Sequence, residues 1–151
     1  MAFLSSMNII GSGLTAQQLR LDMVSENITN INTTRTEAGG AYRRKMTVFE
    51  AQDGRNGFRS IMASRALASN AGYNTAGGVR VTQVVEDPSE LKLVYDPTHP
   101  DANADGYVEM PNVTLVKEVT DAMAATQAYS AGVTALGAFK TVVNQALEIG
   151  R

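Results

Sequence analysis

Apolar residues recur at alternating spacings of four and three at both ends of this chain and follow no such pattern in its middle. At the N-terminal end the positions are Phe3, Met7, Ile10, Leu14, Gln17, Leu21, Val24, Ile28 and Ile31, with Gln17 the single polar member. A four-three repeat marks a helix whose narrow seam faces a partner helix. The spacing predicts a helix from Ala2 to Asn32, weakened early by Gly11 and Gly13, each costing about 1 kcal/mol relative to alanine. At the C-terminal end the seam is Leu115, Val119, Ala122, Thr126, Tyr129, Val133, Leu136, Lys140, Val143 and Leu147. It predicts a helix from Asn112, as the cap, to Ile149, closed by Gly150. Ala124, Ala125, Ala128, Ala131, Gly132, Ala135, Gly137 and Ala138 crowd the other faces of this second helix. Such small residues allow close approach from several sides.

The middle reads differently. Tyr42 to Ala51 has the composition of a strand, and Gln52 to Gly78 reads as a long loop. Val79–Glu86 and Leu91–Tyr95 predict two strands joined by the turn Asp87-Pro88-Ser89, a β-hairpin. Asp96 to Pro111, with Pro97, Pro100 and Pro111, predicts a turn-rich connector. The expected fold is α+β, mainly α, with long N- and C-terminal helices paired as a coiled coil around a small hairpin-containing middle. The expected segments are an N-terminal helix over 1–35, a strand and loop over 36–78, a hairpin and connector over 79–111, and a C-terminal helix over 112–151.

One seam of side chains does not offset the backbone entropy of ordering a helix of this length, so other faces must be buried as well. Two outcomes satisfy that requirement. Either the end helices are marginal in the monomer and become ordered in an assembly, or they form an ordinary antiparallel pair in a compact monomer.

Composition excludes several functions. The 151 residues fit one domain of ordinary size, and the net charge is −2, from 13 basic and 15 acidic residues. The one basic run, Arg43-Arg44-Lys45, is too short for a nucleic-acid footprint or for electrostatic binding to an anionic membrane. Without cysteine the chain has no disulfide, thiolate nucleophile or zinc–thiolate site. No apolar run is long enough to insert into a membrane, and the first basic residue is Arg20, so a cleaved secretory signal is not expected.

The candidate sites point away from catalysis. Asp101-Ala102-Asn103-Ala104-Asp105-Gly106 mimics the first half of a calcium loop, but Asn112 stands where a bidentate glutamate is required. A polar turn is the better reading. His99, the single histidine, is flanked by Pro100 and has no Ser/Asp set around it. Gly11-Ser12-Gly13 lies inside a seam and follows no strand, so it is no nucleotide loop. No catalytic residue, cofactor or metal is expected. Ser25, Asn27, Asn30 and Asn32 lie near the end of the first helix, as caps and polar surface or as contacts to neighbouring chains. Alternation puts Arg43 and Lys45 on one face of a strand and Arg44 on the other, as a solvated charge run or as partners for acidic residues such as Glu50 or Glu86 of a neighbour. Phe3 and Met7 bracket an F-x-x-x-Φ spacing inside the seam, which core packing explains.

The segment VVEDPSELKLVYDPTHPDANADGYVEMPNV, Val84 to Val113, resembles the central signature of the flagellar basal-body rod protein C family, within the rod and hook axial proteins. SENITNINTTRT (Ser25–Thr36), GGAYRRKMTVFEA (Gly39–Ala51) and ALEIGR (Ala146–Arg151) resemble its other parts. The motif positions are Ser25, Asn27, Asn30, Asn32, Asp87, Pro88, Tyr95, Asp96, Pro97, His99, Pro100, Gly106 and Tyr107. The resemblance implies a proximal rod subunit that is no enzyme. Its end helices would pair into the inner layer of a hollow rod that carries torque from motor to hook around the export channel. Its partners would be copies of itself, other rod subunits, the flagellar type III export apparatus and the surrounding basal-body rings. It would reach a periplasm-spanning rod without a cleaved signal, and the resemblance makes the Phe3–Met7 spacing a candidate export-gate pattern, although core packing explains it better. The subunit interface would then be Phe3, Met7, Ile10, Leu14, Leu21, Val24, Ile28 and Ile31 with Leu115, Val119, Tyr129, Val133, Leu136, Val143 and Leu147. The alternatives are a small coiled-coil adaptor or calcium-binding module, and a distal rod or hook-type subunit, which would usually carry a larger middle domain.

Overall fold

Both periodic ends are helical. The computed structural model describes residues 2–52 and 77–149, with side chains from Ser6 to Gln52 and from Gly77 to Glu148. The elements are α1 (Ala2–Thr29), β1 (Lys45–Ala51), β2 (Val79–Glu86), β3 (Lys92–Tyr95), β4 (Tyr107–Met110) and α2 (Leu115–Ile149). Most of the loop expected between Gln52 and Gly78, residues 53–76, lies outside the described residues, as does Gly150.

α1 stops short of Asn32 because its last turn tightens. The Ile31 N–H bonds to the Ile28 carbonyl, and the Asn30 side-chain amide takes the Glu26 carbonyl at 3.0 Å. α2 begins two residues later than the sequence predicts. Thr114 starts the helix, its carbonyl accepting the Glu118 N–H at 3.1 Å, and Asn112 does not cap. The Asn112 side chain instead accepts from the Arg44 N–H (2.8 Å) and donates to Ser89 Oγ (2.9 Å).

The strands pair differently from the expected hairpin. β2 does not turn back onto β3; β1 pairs with β2, and β3 with β4. The first pairing is antiparallel, since Gln52 N bonds to Gly78 O at one end and Asp87 N to Arg44 O at the other. At Asp87-Pro88-Ser89 the Asp87 carboxylate accepts the Ser89 N–H at 3.0 Å, a local turn with no strand pairing across it. The real hairpin joins β3 to β4 in the register Lys92↔Met110, Leu93↔Glu109, Val94↔Val108, Tyr95↔Tyr107. The stretch expected to be only a connector therefore contains β4, a four-residue strand too short for its alternation to stand out against the flanking prolines. Gly106 closes the turn with φ of 79°, and a Cβ there would come within 3.0 Å of the Tyr95 ring.

Chain contacts divide the molecule into two compact units: Met1–Gln17, Phe49–Thr82 and Ala128–Arg151 form one, and Gln18–Val48 and Gln83–Gln127 the other. In the second unit Val24, Tyr42, Val108, Pro111, Val113 and Ala125 are buried. In the first, Ala16 is the one buried residue among the described side chains. There Ser12 links α1 to the start of β2, its Oγ accepting the Val79 N–H at 3.1 Å. Leu14 lies so close to Gly132 that a Cβ there would meet its Cδ2 at 2.8 Å.

Candidate functional site

The most heavily built feature of the second unit is a buried polar junction. Asn27 (1% exposed), Arg44 (7%) and Glu118 (0%) come from α1, the residue before β1, and the first turn of α2. The amide of Asn27 makes all four of its hydrogen bonds. Its Nδ2 donates to Glu118 Oε2 (3.0 Å) and to the Lys45 carbonyl (2.9 Å). Its Oδ1 accepts from the Lys45 N–H and from the Tyr42 hydroxyl, both at 2.9 Å. Asn27 thus bonds both backbone groups of Lys45, as a neighbouring strand would, and pins the start of β1 to α1.

Arg44 carries the positive charge of the junction. Its Nε donates to Glu118 Oε1 (2.5 Å) and its Nη2 to Asp121 Oδ2 (2.9 Å), with Asp87 Oδ2 3.8 Å from Nη1. Arg20 reaches the other oxygen of Asp121 at 3.2 Å. A buried guanidinium needs such a shell, because an ion taken out of water must be paired and hydrogen-bonded. Glu118 also sits in the first turn of α2, where the helix dipole favours an anion. Burial, then the nearby carboxylates of Glu26, Glu118 and Glu86, pushes the Tyr42 hydroxyl up to about 12, so at neutral pH it is a donor. The Asp87 carboxyl is held below its ordinary value, first by the Ser89 N–H and hydroxyl and then by Arg44.

The sequence reading missed most of this. It took Arg44 for part of a solvated run or a partner for a neighbour, but Arg44 is buried in its own chain. Lys45 pairs with Glu26 and stacks over Tyr42 at 5.7 Å, and Glu50 pairs with Arg80. Asn27 uses its side chain inside the chain. Asn30 bonds to Glu26 and Thr33, while Ser25 and Asn32 remain exposed. A signal existed at helical spacing: Arg20, Val24 and Asn27 on α1, and Glu118, Ala122 and Ala125 on α2, put polar residues on faces that a search for apolar residues passes over.

The calcium-like segment is a turn scaffold. Asn103 Oδ1 accepts from the Asp105 and Tyr107 N–H groups, and Asp101 accepts from Thr34 Oγ1 (2.8 Å) beside Arg35. His99 Nδ1 accepts the Asp101 N–H at 3.1 Å, a turn role. Thr98 Oγ1, then its N–H, holds the Asp96 carboxyl below its ordinary value. Among the described residues no cluster of His, Cys, Asp and Glu could hold a metal ion, and no helix is long and apolar enough to cross a membrane.

Exposed apolar side chains form the second feature. In α2 they include Leu115, Val116 (75% exposed), Val119, Met123, Val133, Val142 and Leu147. The seam positions divide in two. Tyr129, Leu136 and Val143 are partly covered within the chain, as are Ile10, Leu14, Leu21 and Ile28 on α1 and Ile31 just after it, while Val24 is buried. Met7, Leu115, Val119, Val133 and Leu147 are exposed. The side chain of Phe3 lies outside the described residues. Gln17, the polar break in the first seam, keeps its Oε1 buried with no hydrogen-bond partner among the described residues. The β3–β4 hairpin exposes Leu93, Tyr95 and Tyr107 on one face, the two tyrosine rings meeting edge to face at 5.2 Å. On its other side an open groove of about 370 Å³ is lined by Ile31, Lys92, Val94, Met110, Val113 and Leu115, among others.

A chain with a braced interior and wet apolar helix faces is suited to assembly, and its relatives are proteins of an assembly. Residues 7–35 match the family described as flagella basal body rod protein, and residues 104–149 match the C-terminal family of the flagellar basal body rod FlgEFG proteins. The flagellar basal-body rod protein FlgC of Bacillus subtilis is 44% identical over 97% of each chain. That of Borreliella burgdorferi is 40% identical over 99% of this chain and 98% of its own, and that of Escherichia coli 36% identical over the whole of both. The chain therefore belongs to the FlgC family of flagellar basal-body rod proteins.

Proposed function

We infer that the chain is a structural subunit of the proximal flagellar rod, built into a helical assembly with copies of itself and other rod subunits, and that it catalyses nothing. The observation that carries the assembly reading is the distribution of burial in the first unit. Among its described side chains Ala16 alone is buried, while Met7, Ile9, Phe49, Val133, Val142 and Leu147 face water. Each fully buried side chain of this kind is worth ~1.5–3 kcal/mol, so the exposed faces are a strong drive toward association.

In this reading α1 and α2 form the inner coiled-coil layer, with the exposed seam residues as subunit contacts. The assembly is a hollow shaft that carries torque from the motor to the hook and encloses the export channel. The chain reaches it through the flagellar type III export apparatus, spans the periplasm as part of the rod, and sits within the basal-body rings. The homologous basal-body rod proteins support the place in the rod, and the resemblance to the rod family is the ground for the other steps. Replacing Val133 and Leu147 by aspartate in a deletion strain is expected to abolish motility while the variant is still exported. Normal flagella and swimming after deletion of the gene would remove the reading altogether.

A further inference from the structure

The apolar surfaces of the second unit leave one question open, namely what holds α1 and α2 in a single register. On α2 the covered positions between Glu118 and the end of the unit are Asp121, Ala122 and Ala125, of which Ala125 alone is fully buried. A slip of one step that brings Asp121 to the Glu118 position puts Ala125 in place of Ala122 and Ala128 in place of Ala125 and changes little apolar burial, whereas the opposite slip brings Val119 to the Ala122 position. On α1 in the same unit, Val24 is the one buried apolar residue. Small, repeating side chains pack closely but discriminate poorly between registers.

The polar junction discriminates sharply. Arg44 is fixed through its backbone, its N–H bonded to Asn112 Oδ1 (2.8 Å) and its carbonyl to the Asp87 N–H (2.8 Å). Asn27 is fixed through both backbone groups of Lys45. Glu118 bonds both of them, one oxygen each. A slip of α2 by one step in one direction places Leu115 against the guanidinium and the Asn27 amide. In the other direction Asp121 takes the place of Glu118, one methylene shorter, and Arg20 faces Ala124. Either slip leaves buried polar groups unpaired.

We propose that Asn27, Arg44 and Glu118 are positioning residues that select one register between α1 and α2, and with it the placement of the exposed stripe Leu115, Val119 and Met123. The consequence for rod assembly rests on the subunit reading above; the register itself does not.

The full chain contains no cysteine, so Ser25→Cys and Thr120→Cys, both at exposed positions of this unit, provide a unique pair of spin labels. Pulsed electron-spin distances in the otherwise unaltered chain are expected to show one narrow peak. The variant Asn27→Leu/Arg44→Met/Glu118→Leu removes one cation and one carboxylate together. It is expected to keep its helical circular dichroism but show a broadened or split distribution, with components separated by about one helical turn, ~5 Å. A single narrow peak at the unaltered distance in that folded variant would overturn the proposal, since packing alone would then set the register. So would a broad distribution in the unaltered chain.

Should the triple variant lose its helix signal, Asn27→Leu, which changes no charge, carries the test: broadening supports the proposal and an unaltered narrow peak overturns it. Complementation of a deletion strain tests the consequence for assembly separately. Broadened distances with full motility would count against the role in the rod while leaving the register assignment in place.

Discussion

Asn27 shows how much one side chain can organise when its whole hydrogen-bonding capacity is used. It reads as a polar residue in an Asn-rich stretch, and its setting makes it the link between α1, β1 and α2. Arg44 and Glu118 depend on each other in the same way. Replacing Arg44 by leucine leaves the Glu118 carboxylate in the interior with only the Asn27 amide, and the expected loss is about 3–5 kcal/mol, measurable by denaturant unfolding; Glu118→Leu should cost less, because Asp121 still pairs with Arg44. A loss under ~1 kcal/mol would show that water reaches the pair. Gly106→Ala is expected to cost about 1–2 kcal/mol, because an alanine would be forced into positive φ against the Tyr95 ring. Tyr42 adds a pH dependence. Its hydroxyl is raised from 10.0 to about 12 in the folded chain, so the folded state holds the proton more tightly than the unfolded state. The contribution is complete below pH 10 and is lost as pH rises through 12, an effect on the order of 2–3 kcal/mol. Tyr42→Phe should flatten that part of the stability curve, and an unchanged slope between pH 10 and 12 would assign the effect elsewhere. The Asn27 position was visible in the sequence motif, but its role was not. Side-chain chemistry says what a residue can bond, and only neighbours from distant segments say which bonds it makes.

At the scale of elements, periodicity located α1 and α2 well but misplaced half of the inward face of α2. The apolar seam runs through Val119, Thr126, Val133, Lys140 and Leu147, all exposed. The covered stripe runs one residue earlier, through Glu118, Ala125, Gly132 and Phe139, and shares Ala122, Tyr129, Leu136 and Val143 with the seam. The small residues among them, Ala125 and Gly132, leave room for another element to come close, as Leu14 does to Gly132, and a search for large apolar residues does not see them. The displaced stripe predicts that Val119→Asp and Met123→Asp change the stability of the isolated chain by no more than about 0.5 kcal/mol. The same substitutions should abolish swimming, because Val119 is assigned to contacts in the rod and Met123 continues its exposed stripe. Ala125→Leu should do the reverse at the chain level, destabilising it by ~1–3 kcal/mol through overpacking. The strands were partly legible. Composition located β2 and β3 to within a residue, yet not their partners, because the turn at Asp87 is local and says nothing about which edges meet.

Across the whole molecule burial is unequal. One unit has a buried core of mixed apolar and polar residues, and the described part of the other has Ala16 alone. Amide hydrogen exchange on dilute protein is expected to be slow in α1 from Gln18 to Thr29 and in α2 from Leu115 to Gln127. It should be fast over Ser6–Gln17 and Ala128–Glu148, with that difference reduced in polymerised rods. Uniform protection along both helices of the dilute chain would favour the compact monomer. What the sequence determined by itself was the pair of long end helices, the strand-forming middle and the family signature, because each rests on local spacing or on a contiguous run of residues. The strand partners, the buried Asn27–Arg44–Glu118 junction and the true covered stripe of α2 were decided only by tertiary structure. They depend on which distant segments meet, and a small or charged residue becomes interior only when another segment brings its partner.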